Sequence, residues 1–302
     1  MSLPDDYLAY PRRRYGMDQD RYAWRLPADR RAQAWPGAAA LALMVVVPIE
    51  HHTLVPATKP FKHPGAMVTP YPDLRHYTTR DYGNRVGVFR ILQALQAAGI
   101  RATFPVNADQ LDRLAPLVEA IRADGHEIAA HGLSTNHIHW GGLDPEEERR
   151  WIDQVRTEFD RRGLAPRSWL SPARQQSFTT LDLIREAGFE ICLDWEQDTV
   201  PVPMRTEHGS VLAIPLSNEL DDRTLLIDRR QTEDDWAAQL LEASACLKAE
   251  APHRGGQVLG FTLTPSVVGQ PFRISALRHV LTVLGGDPAV WSASACEIAA
   301  AV

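Results

Sequence analysis

The chain has 302 residues, with 32 Lys plus Arg against 38 Asp plus Glu and a formal net charge of -6. An acidic balance argues against a nucleic-acid binder, and 44% hydrophobic with 23% charged residues argues against disorder or a fibre. The longest apolar run, Ala38 to Val47, is too short to cross a bilayer and stops at Pro48, so it reads as a buried strand. The opening residues have no apolar core behind a basic start, and Cys192, Cys246 and Cys296 leave one thiol unpaired under any pairing; together these predict a cytoplasmic protein with reduced thiols.

Residues 1–36 form an aromatic-rich arm with no helical or alternating period, holding Tyr7, Tyr10, Tyr15, Tyr22, Trp24 and Trp35 among charges. So many aromatic rings predict an arm packed on the body or on another subunit, which favours a homo-oligomer. Residues 37–302 read as one domain. After the strand at 41–47 comes an irregular stretch, 51–85, and then a helix in which Val88, Ile91, Leu92 and Leu95 recur at helical spacing and Gly99 ends the run. Further strands are predicted at 102–107, 126–130, 167–171, 189–195, 211–216, 257–264 and 290–293, with helices between most of them. Gly125, Gly163, Gly188 and Gly285 mark helix ends; Asp144 before Pro145, with Glu147 at capping-box spacing, marks a start, and Thr232 opens a long helix. The tail from Ser294 to Val302 reads as a packing helix. Strand alternating with helix implies a parallel sheet, and strands apolar on both faces suit a closed or nearly closed barrel, distorted where 195–210 breaks the alternation. No glycine-rich phosphate loop follows a strand.

In such barrels chemistry gathers at the carboxyl ends of the strands. There the chain presents Glu50, His51 and His52; Asn107 and Asp109; His131, followed by His137 and His139; Ser171 and Arg174; Asp194, Trp195 and Asp198; Asn218, Glu219, Asp221 and Asp222; and Thr264 before Pro265. Carboxylates, imidazoles and an arginine on one rim outline a hydrolytic site for an amide-type bond, where a carbonyl is polarised, a water meets a base and a leaving nitrogen takes a proton. Cys192 lies within an apolar strand pattern and reads as core.

The string ATFPVNADQLDRLAPLVEAIRADGHEIAAHG, then RSWLSPARQQSFTTLDLIREAGFE, SNELDDR and TLTPSVVGQPFRISALRHV, resembles the NodB-like polysaccharide deacetylases from about residue 36 onward, closest to the intracellular branch of peptidoglycan-deacetylase-like proteins, cyclic imide hydrolases and the allantoinase analogue. The resemblance implies an α/β fold, a distorted (β/α)7 barrel. It also implies a paired aspartate motif after the first strand, an HxxxH metal motif after the third and a late Leu-His-Pro. Here those places hold Pro48 and Glu50, then His131 with Thr135 four residues on, then Leu263-Thr264-Pro265. The allantoinase-like branch resembles this chain in carrying a glutamate after the first strand and lacking the second histidine, and that branch implies a reaction without metal.

The expected activity is hydrolysis of a C–N bond, amide or cyclic amide or imide, in a small polar substrate. Glu50, His131 and Arg174 are the catalytic candidates, with Asn107, Trp195, Asp221, Asp222 and Thr264 binding substrate and the backbone at Asn107 and Ser171 meeting an oxyanion. The cofactor is either none or one zinc-like divalent ion on a Glu50, His131 and His137 triad. Two rivals use the same residues: a metal-independent, non-hydrolytic cyclisation, dehydration or isomerisation, and a catalytically inactive binding protein. The expected partner is a small molecule, with neither nucleic acid nor membrane. The stretch 51–85 carries Lys59, Lys62, Arg75, Arg80 and Arg85 against Asp73 and Asp81, and includes Pro56, Pro60, Pro64, Pro70 and Pro72. A long insertion behind strand one predicts a stiff basic lid over the site that favours an anionic or strongly polar substrate, or else a subunit contact.

Overall fold

The structure, a computed structural model, describes residues 19–56 and 70–302. Tyr7, Tyr10 and Tyr15 of the arm, and Lys59, Pro60, Lys62, His63 and Pro64 of the lid segment, lie outside the described residues. Nine strands form one curled sheet: β1 Leu41–Val46, β2 Ala102–Val106, β3 Glu127–Ala130, β4 Ser168–Trp169, β5 Ile191–Cys192, β6 Val202–Thr206, β7 Gly209–Ala213, β8 Gln257–Thr262 and β9 Val290–Ser292. Their order is β6-β7-β5-β4-β3-β2-β1-β8, with β9 pairing the start of β1. Pairing is parallel from β8 through β1 to β5 and on to β7, and only the β6–β7 hairpin is antiparallel. Seven of the parallel strands, β1 to β5 with β7 and β8, thus make the distorted (β/α)7 barrel that the resemblance implies, and β9 adds a short parallel pair to β1. Between β7 and β8 closure rests on the irregular segment after β7, where Ser217 donates its N–H to the Gly260 carbonyl at 2.9 Å.

Every residue of β1 is fully buried, which explains its unbroken apolar text. Leu41, Leu43 and Val45 face the outer layer, with Ile91 and Leu95 of α2 (Val88–Ala98) and Leu277 and Leu281 of α7 (Ile274–Gly285). Ala42, Met44 and Val46 face inward with Leu170, Leu193, Ile214 and Val258. Trp35 and, from α8 (Ala295–Ala300), Ala295 and Ile298 belong to this inner cluster. Each fully buried aliphatic side chain of this size contributes about 1.5–3 kcal/mol. The described end of the arm packs on the body: Arg21 pairs with Asp182 at 2.8 Å, and Gln33 bridges to Gly255.

Three local readings change. Residues 74–82, expected to be irregular, form helix α1 (Leu74–Tyr82), capped by Asp73, whose side chain accepts the His76 N–H at 3.0 Å. The helix has no buried residue, so no apolar period announced it. Within the expected gap at 195–210, β6 pairs with β7 as an edge strand, the one place where Pro203 costs no ladder bond to a further neighbour. Asp144 does cap helix α4 (Pro145–Asp160), but onto the Glu146 N–H rather than in a box with Glu147. The other helices, α3 (Ala115–Ala123), α5 (Thr180–Glu186) and α6 (Glu233–Arg254), start and stop close to the expected signals, α6 with a Thr232–Asp235 capping box.

Candidate active site

A cavity of about 580 Å³ opens at the carboxyl ends of the barrel strands. Its wall begins with the residues that follow β1. The Pro48–Ile49 segment still runs beside β2, with Ile49 N–H on the Pro105 carbonyl at 2.7 Å, so Glu50 is the first side chain past the sheet and faces the opening. Asn84 holds its backbone by donating to the Glu50 carbonyl at 2.8 Å.

Opposite stands His131, directly after β3 and 3% exposed. Its Nδ1 lies 2.8 Å from the Leu170 carbonyl oxygen, and its Nε2 lies 3.3 Å from Glu50 Oε1. A carbonyl only accepts, so Nδ1 carries a hydrogen and Nε2 faces the carboxylate. The His52 Nε2 stands 3.6 Å from the other Glu50 oxygen. Burial alone would raise the Glu50 pKa, but hydrogen bonds and charge from His131 and His52 outweigh it and hold the carboxyl well below its ordinary value.

The far wall is built by the turn after β4. Ala173 and Arg174 both adopt positive φ, 56° and 53°, a conformation that costs each residue about 1–3 kcal/mol and recurs where a side chain must be aimed. Arg174 is thereby held against Asp221, with Nη2 at 3.0 Å and 3.2 Å from its two oxygens, and it also donates to the Leu216 carbonyl, Asn218 Oδ1 and Thr262 Oγ1. Burial pushes the Asp221 carboxyl above its ordinary range in spite of Arg174. Helix α1 closes the near side with His76 and Arg80. Thr264 lines the floor beneath them, and its N–H donates to Asp222 Oδ2 at 2.8 Å.

The structure therefore brings Glu50, His131, Arg174, Asp221 and Thr264 onto one cavity. Several expected residues stand elsewhere. Asn107 is fully buried; its side-chain N–H₂ donates to the His131 carbonyl and its backbone N–H to Ile49, so it supports His131 from behind. The Ser171 N–H donates to Asp194 Oδ1 at 2.8 Å, so neither backbone amide expected at an oxyanion is available. Trp195 donates to Gln176 and packs edge-on against Tyr22, away from the cavity lining. Asp222 is fully buried beneath Thr264, and burial raises its pKa to about 7 even though Thr264 donates to it. Cys192 is buried, as expected of a core residue, and burial pushes its thiol well up.

The triad of Glu50, His131 and His137 does not assemble. His137 bonds Ser134 Oγ through Nδ1 at 2.6 Å and packs edge-on against Trp151, outside the cavity lining. His139 is sealed in with Glu148 at 2.8 Å. Thr135, at the HxxxH position, ties down the loop after β1 by donating to the His51 carbonyl at 2.7 Å. Among the described residues no group of three His, Cys, Asp or Glu is placed to hold a metal ion. The donors present do not fit a zinc-like site, and no step below is routed through one.

Two charged lining residues escaped the strand-end reading. Arg80 entered it only as one charge in a basic stretch, and Arg223 sits one position past the Asp221-Asp222 pair. Arg80 comes from a helix that no hydrophobic period revealed, so its charge was the one signal available.

The polysaccharide deacetylase family model matches residues 70–192. A crystal structure of a polysaccharide deacetylase from Pseudomonas aeruginosa PAO1 shares 23% identity at a TM-score of 0.81, covering 90% of this chain and 94% of that one. The PuuE allantoinase structure shares 24% identity at a TM-score of 0.81, over 90% and 93%. A polysaccharide deacetylase structure from Mycobacterium smegmatis shares 22% identity at a TM-score of 0.75, again over 90% and 93%. No curated protein sequence matches the chain. Among the described residues no helix is long and apolar enough to cross a membrane.

Proposed function

We propose that this chain is a member of the NodB-like polysaccharide deacetylase superfamily and hydrolyses an amide-type C–N bond, open or cyclic, in a small polar substrate. The observation that carries the reading is the pairing of His131 Nε2 with Glu50 at 3.3 Å on the cavity wall, with Nδ1 tied to a carbonyl behind it. A carboxylate held this far into its ionised range is a poor base, so the base is the imidazole and Glu50 stabilises the cation that it becomes.

In the active form the Nε2 proton that His131 otherwise donates to Glu50 has passed to solvent, and Nε2 takes a proton from water as the oxygen adds to the carbonyl carbon. The tetrahedral adduct then expels the nitrogen, and the imidazolium returns the proton to it. The C–N bond breaks, a C–O bond forms, and the products are a carboxylate and an amine, or one opened ring. Because one imidazole both accepts and returns the proton, Thr264 need not replace the acid that the late Leu-His-Pro motif implies. Arg174, locked to Asp221, presents a rigid polar wall that orients the substrate.

Turnover measured over a panel of small amides and imides tests these roles. Glu50→Gln and His131→Ala are each expected to lower kcat by about 10²–10⁴. His137→Ala, outside the cavity, is expected to stay within a few-fold of the parent. Full activity in either of the first two variants overturns the assignment.

A further inference from the structure

The cavity is lined by two carboxylates, Glu50 and Asp221, and three guanidinium groups, Arg80, Arg174 and Arg223. Among the described lining residues guanidinium groups outnumber carboxylates by one, and the imidazoles beside them add no negative charge, so this wall of an acidic protein is net positive. Arg174 is committed to Asp221 at 3.0 Å. Arg80 is not committed in this way: among the described residues no carboxylate lies within ion-pairing distance of it, although its charge is felt by Glu50 and Asp228. It is half-buried, and burial pulls its pKa down, yet a guanidinium stays charged in proteins. A partly desolvated cation with five N–H donors and, among the described residues, no carboxylate within ion-pairing distance is an open recognition group, and a planar, bidentate carboxylate is the ligand that satisfies it best.

Its position sets the reach. Off the main cavity lies a small recess lined by Glu50, His52, Arg80, Asn84 and Thr264, so Arg80 shares one corner of the site with Glu50, whose other side meets His131 on the main cavity. An anionic group on Arg80 would stand only a short molecular length from a bond offered to His131.

We infer that the substrate carries a carboxylate and that Arg80 binds it while Glu50 and His131 act on an amide within the same small molecule. The inference rests on the hydrolase reading of this site. The dicarboxylic half-amide or N-acylated amino acid is the simplest chemistry that places a carboxylate and an amide at such a spacing.

The test uses matched probes that differ in charge alone: N-acetylglycine against N-acetylglycinamide, and succinamate against succinamide. Binding is measured calorimetrically and turnover by product analysis, with the parent chain, Arg80→Ala and Arg80→Lys. The carboxylates are expected to bind roughly 10- to 100-fold more tightly than the carboxamides, the span that charge-assisted hydrogen bonds supply. Arg80→Ala is expected to abolish that preference and Arg80→Lys to restore part of it. Equal binding of both members of each pair, a preference that survives Arg80→Ala, or no binding of either carboxylate at millimolar concentration overturns the inference. Hydrolysis without charge preference leaves the hydrolase reading standing and removes the Arg80 subsite. Arg80-dependent carboxylate binding with no amide cleaved does the reverse.

Discussion

Asp222 shows how burial, helped by the charge of Asp221, can write a pH dependence into one residue. Its carboxyl is fully buried, one oxygen accepts the Thr264 N–H and the other, among the described residues, has no hydrogen-bond partner. Burial raises its pKa from 3.8 to about 7 in the folded chain. Between those values the folded state holds a proton that the unfolded state has released, so stability falls as pH rises. The contribution is fully present below pH 3.8 and lost as pH passes about 7. At about 1.4 kcal/mol per pH unit this amounts to roughly 4 kcal/mol across the window. Unfolding free energy measured against pH should therefore lose that declining component in Asp222→Asn, whatever the variant's absolute stability; an unchanged slope would refute it. At the same scale Glu50 behaves oppositely, since His131 and His52 keep it ionised, and its charge is available to stabilise a cation at any moderate pH. Sequence position found both carboxylates, but not which would be ionised. That depends on the imidazoles after two different strands and on the closed volume under Thr264, neither of which is local in the chain.

At the scale of elements, the site depends on a backbone-to-backbone seat. The turn after β8 that carries Thr264 lies against the entry to α2, and a Cβ added at Gly87 would run into the Pro265 carbonyl oxygen. Neither backbone can move aside without shifting Thr264 or α1. Gly87→Ala is therefore expected to lower stability by about 1–3 kcal/mol, the cost of overpacking, and to lower turnover as well. Thermal unfolding and turnover of the variant check both, and a fully stable, active variant would show the seat to be loose. Helices α2, α6 and α7 were legible because their apolar faces, caps or terminal glycines are local signals. Helix α1 was not, having no buried residue, and β6 was hidden by Pro201 and Pro203, which break the text of a strand. The missed helix carries Arg80, so the gap in the local signal became a gap in the site.

For the whole molecule, alternating strands and helices were enough to indicate the barrel, and the carboxyl-end rule was enough to indicate Glu50, His131, Arg174, Asp221 and Thr264. The incomplete closure between β7 and β8 was not legible, because isolated hydrogen bonds, Ser217 N–H to the Gly260 carbonyl and Val258 N–H to the Thr199 carbonyl, do there what a ladder does elsewhere. Nor was the dispersal of His137 and His139, which aromatic packing against Trp151 and a buried carboxylate draw away from the cavity. The net charge of -6 likewise gave no sign of a cavity wall with an excess of positive charge. What remains on the proposed reacting side is the His131–Glu50 pair facing a polar wall, the set to which the proposed hydrolysis assigns the addition of water. The most direct measurement is mass spectrometry of the product formed in ¹⁸O-labelled water from whichever amide or imide of the panel is consumed. Hydrolysis places the heavy oxygen in a new carboxylate, and the label should fail to appear above background with His131→Ala. A product of unchanged mass, or one lighter by a water, formed without the label would contradict the account.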